Sequence, residues 1–553
     1  MSSRGRSRQR RVGLLQSIAW ACGLALVAAP SAAFAQDAPA DPPKTDTPPK
    51  TDTPPKTDTP PDPPKPDPPP DPPPPPDPPP KSDPPPKEPP APPPALPPVP
   101  AEKPHEGSFQ FGMYGRVVAA TDGHGGPGAD SELVARGSRM DEDNYAEIEL
   151  RREDHWEVTG IKTAIVVTLA MASPVFHYTG KFDLNAAIRN LYLEARDIGV
   201  KGLAAFAGSK MVRGDDIYLL DWWPLDNLNL LGGGFTYKHP VGFFGQLTVG
   251  ATQPDVPFFK QTVLRPAPLD QFGASTVPFL NRQKLIGALK IGYNHTFGAD
   301  PTDETTRANK PGIKAFLYGE GHALAEGERE PAGGPVEQLP SDGGFVAGGQ
   351  FTAYTGERNT FIHLFVRYAS GLAAFGQWGA PGQLTEQRTA EGARELIAAV
   401  GGNVEYDFFG LLVGGYFRSF RDPTPVLNYE DVDEGVVAIR PSVWFGDIAG
   451  LSLEGSFQLA QRGVLYRDPE APLAPAEGPA LASYFRVGII PFITPAGRGN
   501  FTRPHIRAMY NIGFRNSVAN LLYPEDHPYR ERDIEHFIGL GAEWWFNSYS
   551  YGF

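Results

Sequence analysis

The sequence predicts an all-β fold, namely an 18-stranded antiparallel transmembrane β-barrel that follows a disordered Pro-rich N-terminal extension. Three observations lead to this prediction. After residue 35 the chain has no stretch apolar and long enough to cross a membrane as a helix. From about residue 108 onward, about eighteen segments of roughly 8 to 13 residues alternate polar and apolar side chains. The connections between these segments are alternately long and short, as in barrels with long external loops and tight periplasmic turns.

Residues 1–35 are predicted to be a secretory signal peptide. Five arginines precede residue 12, an apolar stretch runs over residues 12–27, and Ala33-Phe34-Ala35 provides a small-residue cleavage site. The one cysteine of the chain, Cys22, lies within this signal. The mature chain is therefore expected to form no disulfide and no thiolate metal site.

Residues 36–104 are predicted to be a Pro-rich linker or extension in the periplasm. The sequence Pro-Pro-Lys-Thr-Asp-Thr recurs at residues 42–47, 48–53 and 54–59. Such a segment cannot bury a core and favours the extended polyproline helix, which rises about 3.1 Å per residue and would here reach roughly 200 Å. It is either a spacer or a contact to peptidoglycan or another periplasmic partner.

Residues 105–553 are too many for one ordinary core and suit one large barrel. Eighteen strands enclose a lumen wide enough for a water-filled channel. An even number of strands, with long loops after the odd-numbered ones, places both chain ends in the periplasm of a multi-pass outer-membrane protein. The formal net charge of −14 is mild for this length and argues against a nucleic-acid partner.

The two-residue period of a strand assigns side chains to the two faces of the barrel wall. Because the apolar face must meet lipid, the polar face lines the lumen. Four large aromatic side chains fall on that inward face: Tyr114, Tyr145, Trp545 and, by parity with Arg503, Phe501. They are expected to line the lumen.

Aromatic rings that line an aqueous lumen indicate a track for sugars. The apolar C–H faces of a pyranose lie flat on such rings, while its hydroxyls need polar or charged partners, here Arg116, Glu147, Arg503 and Arg507. A series of modest, similar sites lets a ligand enter and leave. In the alternative interpretation, the rings pack under an inward-folded loop or belong to the aromatic girdle at the membrane interface.

Several motifs, in order along the barrel, resemble the maltoporin family of carbohydrate-selective outer-membrane porins. The segment at residues 111–116, Phe-Gly-Met-Tyr-Gly-Arg, is similar to the family's opening His-Gly-Tyr-Ala-Arg strand, and Tyr-Ala-Glu-Ile at residues 145–148 to its Tyr-Ala-Glu-Leu. Residues 216–223 resemble its constriction-loop segment, and Thr-Arg-Pro-His-Ile-Arg at residues 502–507 resembles Ser-Arg-Pro-Ala-Ile-Arg. Glu-Trp-Trp-Phe at residues 543–546 is similar to the family's terminus.

The resemblance implies a role for each matching position. Four residues correspond to the aromatic slide of the family: Tyr114, Tyr145, Phe501 and Trp545. Five residues correspond to its polar track: Arg116, Glu147, Arg189, Asp216 and Asp221. Trp223 stands where the family has a constriction tyrosine, on a loop at residues 212–230 that folds into the pore. The family forms homotrimers that pass maltose and longer glucans by facilitated diffusion.

Some positions depart from the family pattern. Gly214 stands at an expected track arginine, next to Arg213, and Gly349 stands at an expected slide aromatic, for which Phe351 is a candidate substitute. Seven residues extend past the family's usual end, so either Phe546 or Phe553 is expected to be the terminal aromatic that the barrel-assembly machinery recognises. These departures leave the preferred sugar open.

The predicted function is a passive channel for oligosaccharides, with no cofactor and no metal. One alternative is a general diffusion porin, and another is an anchor or receptor whose Pro-rich tail binds the cell wall. An enzyme such as a barrel phospholipase needs a Ser–His pair on the lipid-facing side. His363 and His505 are assigned to the lumen by parity and have no obvious serine partner, so no enzymatic activity is predicted.

Overall fold

The computed structural model describes residues 105–128, 131–140, 143–172, 180–181, 184–266, 272–299, 310–331, 334–356, 358–382, 384–424, 431–466 and 477–548. The predicted signal peptide, the Pro-rich extension and Phe553 lie outside these described residues. None of the helices in the described part of the chain is long and apolar enough to span a membrane.

Eighteen strands form one antiparallel sheet, and each of the eighteen segments predicted from the sequence is one of them. The strands are β1 His105–Thr121, β2 Tyr145–Trp156, β3 Ile161–Ala172, β4 Asn185–Arg196, β5 Leu203–Arg213, β6 Asn227–Lys238, β7 Phe243–Thr252, β8 Lys284–Thr296, β9 Gly312–Leu324, β10 Asp342–Tyr354, β11 Phe361–Gly371, β12 Arg394–Glu405, β13 Phe409–Arg421, β14 Val432–Phe445, β15 Ala449–Tyr466, β16 Glu477–Ile493, β17 His505–Arg515 and β18 Ile534–Phe546.

The sheet closes on itself because the first strand pairs with the last. The β1–β18 register runs from Met113 opposite Phe546 to Thr121 opposite Ile538. Closure lets the strand backbone satisfy its hydrogen bonds within the sheet, which a bilayer requires. The predicted fold class, an 18-stranded antiparallel β-barrel, is confirmed.

Side chains alternate between the two faces of the wall as the sequence predicts. On β18, Leu540 is 63% exposed whereas Glu543 is 2% exposed. On β2, Glu147 and Glu149 are buried in the lumen and Leu150 is exposed on the outside. The outer face is therefore an apolar belt suited to lipid, and the polar face points inward.

One expectation about an aromatic side chain is wrong, and the parity argument for a second does not hold. Phe351 lies on the outer face of β10 and is 43% exposed, while its neighbour Gln350 faces the lumen, so Phe351 cannot replace a slide aromatic. Phe501 is not in a strand, and its inward position cannot be argued from parity with Arg503. It lies in the connection before β17, which begins at His505 directly after Pro504, a residue without a backbone N–H.

Most connections alternate in length, and those after odd-numbered strands lie at one end of the barrel, here called the loop end; the opposite end is the turn end. The connections 297–311 and 494–504 are longer than the other turns at the turn end. The connection after β7 carries a hairpin of Lys260–Pro266 with Ala274–Asn281. The connection after β9 carries a shorter hairpin, Gly327–Arg329 with Glu337–Leu339. A short helix, Ser517–Leu521, follows β17.

The loop between β5 and β6, residues 214–226 and here called L3, folds into the lumen as predicted. It carries the 3₁₀ helix Tyr218–Leu220, and its apolar side chains form the centre of the largest buried cluster of the protein. Gly414 on β13 permits this contact with the wall, because a Cβ atom there would lie 2.7 Å from Cγ2 of Ile217. The core of the protein therefore lies inside the barrel.

A second loop, not predicted to fold inward, also occupies the lumen. This loop, residues 122–144 and here called L1, joins β1 to β2, and its Leu133 is buried inside the barrel. The backbone N–H of Leu133 donates to Gln458 on β15 at 2.9 Å, and that of Arg136 donates to the Tyr416 hydroxyl on β13 at 3.1 Å. L1 therefore lies along the inner face of β13 to β16.

Candidate functional site

Three of the predicted slide aromatics meet because their strands are neighbours. Tyr114 on β1 is in register with Trp545 on β18, and the two rings stack with centroids 6.3 Å apart and an interplanar angle of 13°. Tyr145 on β2 lies 6.0 Å from Tyr114 in a tilted arrangement. Strand pairing alone therefore brings the three rings together on the lumen wall.

Phe501 extends this row toward the turn end. Its ring packs edge-to-face on Tyr218 of L3, with centroids 5.3 Å apart. Trp545 packs both against the cluster that contains Phe501 and against the cluster that contains Tyr114. Trp545, Tyr114 and Tyr145 thus form one row, and Phe501 lies beyond its turn end against Tyr218; the four are here called the aromatic row.

Trp223 of L3 packs against this row. It forms one buried cluster with Tyr114, and the guanidinium of Arg213 lies 4.1 Å from the centre of a Trp223 ring. Tyr114 is 1% exposed, so a ligand gains the face of this ring only by displacing a neighbouring side chain. Arg213 therefore lies beside the constriction. Its neighbour Gly214 stands where the family pattern has a track arginine.

Charged residues of the predicted polar track flank the row at Tyr145. Glu147 on β2 accepts from Nη1 of Arg189 on β4 at 2.6 Å, and the Tyr145 hydroxyl also donates to Glu147. A β-bulge opposite Thr168 turns both Arg189 and its neighbour Asn190 into the lumen, where both are buried. The bulge explains how Arg189 reaches Glu147.

A second charged group lies beside Trp545 and centres on Glu543. Its carboxylate accepts from the Tyr114 hydroxyl at 3.2 Å and from Nε of Arg503 at 2.7 Å, and it lies 3.4 Å from Arg507. The guanidinium of Arg503 also lies 4.2 Å from the centre of a Trp545 ring. Charges and aromatic faces are therefore adjacent along the row.

Asp221 connects the track to both inward-folded loops. It adopts a left-handed backbone conformation with φ of 47°, and its carboxylate lies 3.7 Å from Arg116 on β1 and 3.8 Å from Arg139 of L1. The backbone N–H of Arg139 also donates to the Leu219 carbonyl of L3 at 3.1 Å. Asp216, the remaining track residue, is buried near the start of L3. L1 and L3 therefore form one constriction.

Sequence reasoning missed Arg139 and the neighbouring Trp222. Both lie in loops, where a two-residue period assigns no face. Trp222 could have been found from the resemblance alone, because it precedes Trp223 in the segment that is similar to the constriction loop of the family. Trp222 packs on Tyr416 of the far wall, with centroids 4.9 Å apart.

Two cavities adjoin L3. One of about 570 Å³ lies toward the loop end and is lined by Trp222 of L3, Arg136 of L1 and side chains of β11 to β15. Another of about 720 Å³ lies toward the turn end, between L3 and β5 to β9, and is lined among others by Lys290 and Lys314. The constriction therefore has solvent-sized space on each side.

No protein-family model matches the chain, and no curated protein matches its sequence. Similar solved structures include a loop-deletion mutant of OmpT, an outer membrane protein of Vibrio cholerae, at 11% identity with a TM-score of 0.35, covering 80% of this chain and 99% of that one. OccK3 (OpdO) of Pseudomonas aeruginosa matches at 11% identity and a TM-score of 0.38, covering 79% and 95%. OccAB2 of Acinetobacter baumannii matches at 11% identity and a TM-score of 0.37, covering 79% and 98%. These likenesses concern the fold alone.

The closed 18-stranded barrel, its apolar outer belt and its polar lumen define the class of protein. The chain has the fold of an outer-membrane porin.

L1 is expected to restrict conduction, because it lies inside the lumen toward the loop end and is bonded to L3. Replacing residues 131–139 with a Gly-Ser-Gly linker should raise single-channel conductance in a planar bilayer severalfold. The matched control shortens the exposed hairpin of Lys260–Pro266 with Ala274–Asn281, which should leave conductance unchanged. Equal conductance of the L1 variant and the intact protein would show that L1 does not limit the pore.

Proposed function

We propose that this protein is an outer-membrane channel that passes maltose, maltodextrins or related oligosaccharides by facilitated diffusion. The observation that supports the proposal is the aromatic row, in which Tyr145, Tyr114 and Trp545 lie side by side on the lumen wall and Phe501 lies beyond them against Tyr218. A non-selective aqueous pore has no need of such a row.

The chemistry beside the row suits a sugar. The C–H face of a pyranose gains contact area on Trp545 and Tyr114, and its hydroxyls require charged partners at the rim. Glu543 with Arg503, and Glu147 with Arg189, supply such partners at two successive positions. Because the two positions are alike, a sugar binds to both with similar affinity and can move from one to the next.

A general diffusion porin is the second candidate, and the packing of Trp223 favours it. While Trp223 packs against Tyr114, little ring surface is left for a sugar. In that case the aromatic side chains hold L3 in the lumen. The ion pairs of the wall then give the lumen a polar surface that any polar solute can pass.

The resemblance to maltoporins adds further parts to the proposal. The functional unit would be a homotrimer inserted by the barrel-assembly machinery, with the Pro-rich extension in the periplasm as a spacer or a contact to peptidoglycan. The protein would carry out no covalent chemistry.

The test is the ion current through the purified protein in a planar bilayer while maltodextrins of increasing length are added. The proposal predicts a saturable block whose dissociation constant falls with chain length, because longer chains occupy more of the aromatic row. A steady current that no maltodextrin reduces would contradict it and would favour the general porin.

A further inference from the structure

We infer that the cavity at the loop end binds the acidic group of an anionic saccharide, so that the channel prefers acidic sugars over neutral ones. The inference deepens the proposed function, on which it rests for the saccharide part of the ligand. The cavity is separate from the aromatic row, and L1, L3 and the strands β11 to β15 enclose it.

The lining of the cavity has an excess of positive charge. Its four arginines come from separate elements, Arg136 from L1 and Arg367, Arg418 and Arg462 from three strands, and the one carboxylate among the lining residues that the structure describes is Glu395. When Glu434, which pairs with Arg418, is included, the described groups at the cavity are four guanidiniums and two carboxylates, an excess of positive charge that gives a positive potential.

Two of these arginines share one carboxylate, Glu395. Glu395 accepts from Nη1 of Arg367 at 2.6 Å and from Nε of Arg418 at 2.7 Å. Arg418 also donates from Nη1 to Glu434 at 3.2 Å. Glu395 and Glu434 together fix these two guanidinium groups in place and offset their charge.

Donor capacity remains at this arginine cluster. Nε of Arg367 is buried and has no hydrogen-bond partner among the residues that the structure describes. Arg462 donates from Nη2 to the Leu133 carbonyl of L1 at 3.3 Å. Because this acceptor is neutral, the hydrogen bond does not offset the positive charge of Arg462. Guanidinium groups with such free capacity match the two oxygens of a carboxylate or a phosphate.

The cavity also has apolar walls for the ring of a sugar. Trp222 packs on Tyr416 along one side, and Phe375 packs edge-to-face on Phe420 along another, with centroids 5.4 Å apart. All four rings belong to the lining. The volume of about 570 Å³ falls in the range of about 300–1,000 Å³ that is usual for small-ligand pockets.

The position of the cavity makes this selectivity effective. Trp222 lines the cavity, and the next residue, Trp223, packs against the aromatic row. A saccharide that enters from the loop end therefore meets the arginines before it meets the constriction. An acidic group is concentrated there, whereas a neutral sugar gains no such attraction.

The experiment compares block of the ion current by trigalacturonate and by maltotriose, which have the same number of rings. We expect trigalacturonate to block the intact protein at a concentration at least about tenfold lower in 0.1 M salt, and the difference to shrink in 1 M salt because exposed charges are screened. Glucose 6-phosphate against glucose tests whether a phosphate serves in place of the carboxylate. Equal block by trigalacturonate and maltotriose at 0.1 M salt would overturn the inference.

The double variant Arg367→Gln/Arg462→Gln removes two positive charges from the cavity and keeps the pair of Arg418 with Glu395. It should abolish the preference for trigalacturonate and leave block by maltotriose unchanged. The matched control is Arg265→Gln/Arg358→Gln, two exposed arginines outside the cavity, which should keep the preference. A preference that survives in the first variant would contradict the assigned site. Block by trigalacturonate without block by maltotriose would confirm the arginine site and would count against the aromatic row, so the two proposals fail separately.

Discussion

Replacing Trp545 with Ala should weaken block of the channel by maltohexaose about 30-fold while the open-channel conductance stays the same or rises slightly. Trp545 stacks on Tyr114 and also packs against the large cluster to which Phe501 belongs, so its loss interrupts the row. A buried aromatic anchor costs about 2 kcal/mol or more when truncated, and each ~1.4 kcal/mol is a factor of ten in affinity. The measurement is the blocking constant from current noise or titration.

The adjacent Trp544 provides the matched control. It lies on the outer face of β18, where its ring stands beside Gly115 of β1. Trp544→Ala removes the same side chain from the same strand but leaves the lumen intact, so the blocking constant should not change. If both variants bind maltohexaose as the intact protein does, the aromatic row is not the path of the sugar.

Replacing Glu543 with Ala should destabilise the folded barrel by about 3–5 kcal/mol. Glu543 is buried, and it pairs with Arg503 and Arg507 and accepts from Tyr114. Removing one partner of a buried ion pair leaves the remaining charges uncompensated, which is the costly case. The free energy of unfolding in urea, measured on the barrel in lipid vesicles, gives the change.

Two further variants separate charge from packing. Glu543→Gln retains an acceptor for Tyr114 and loses the charge, so its loss of stability should be of the same order as that of the alanine variant. Glu328→Ala removes an exposed carboxylate from the hairpin after β9 and should change stability by less than about 0.5 kcal/mol. A Glu543→Ala barrel as stable as the intact one would mean that Arg503 and Arg507 find solvent or other partners.

The strands were predictable because lipid on one side and water on the other impose a strict period of two on each of them. The same period assigned Tyr114, Tyr145 and Trp545 to the lumen. It fails where the backbone departs from a regular strand. At the bulge in β4, Arg189 and Asn190 both face inward, and Phe501 lies in a connection for which parity has no meaning.

The contacts between loops and wall were not predictable from the pattern. Arg139 reaches Asp221, and Arg136 lines a cavity with Arg418, only because L1 folds into the lumen along β13 to β16. Such contacts join residues far apart in sequence and depend on the closed barrel. The packing of Trp223 against Tyr114 was not predictable from the strand period either, because it requires L3 to be folded into the lumen.

The most direct test of the proposed sugar path is an experimental structure of the protein with maltohexaose bound. The proposal predicts glucose rings along the lumen wall on Phe501, Trp545, Tyr114 and Tyr145, with Trp223 moved off Tyr114 and hydroxyls bonded to Glu543 and Glu147. A lumen without sugar at saturating maltohexaose, with Trp223 still packed on Tyr114, would contradict it.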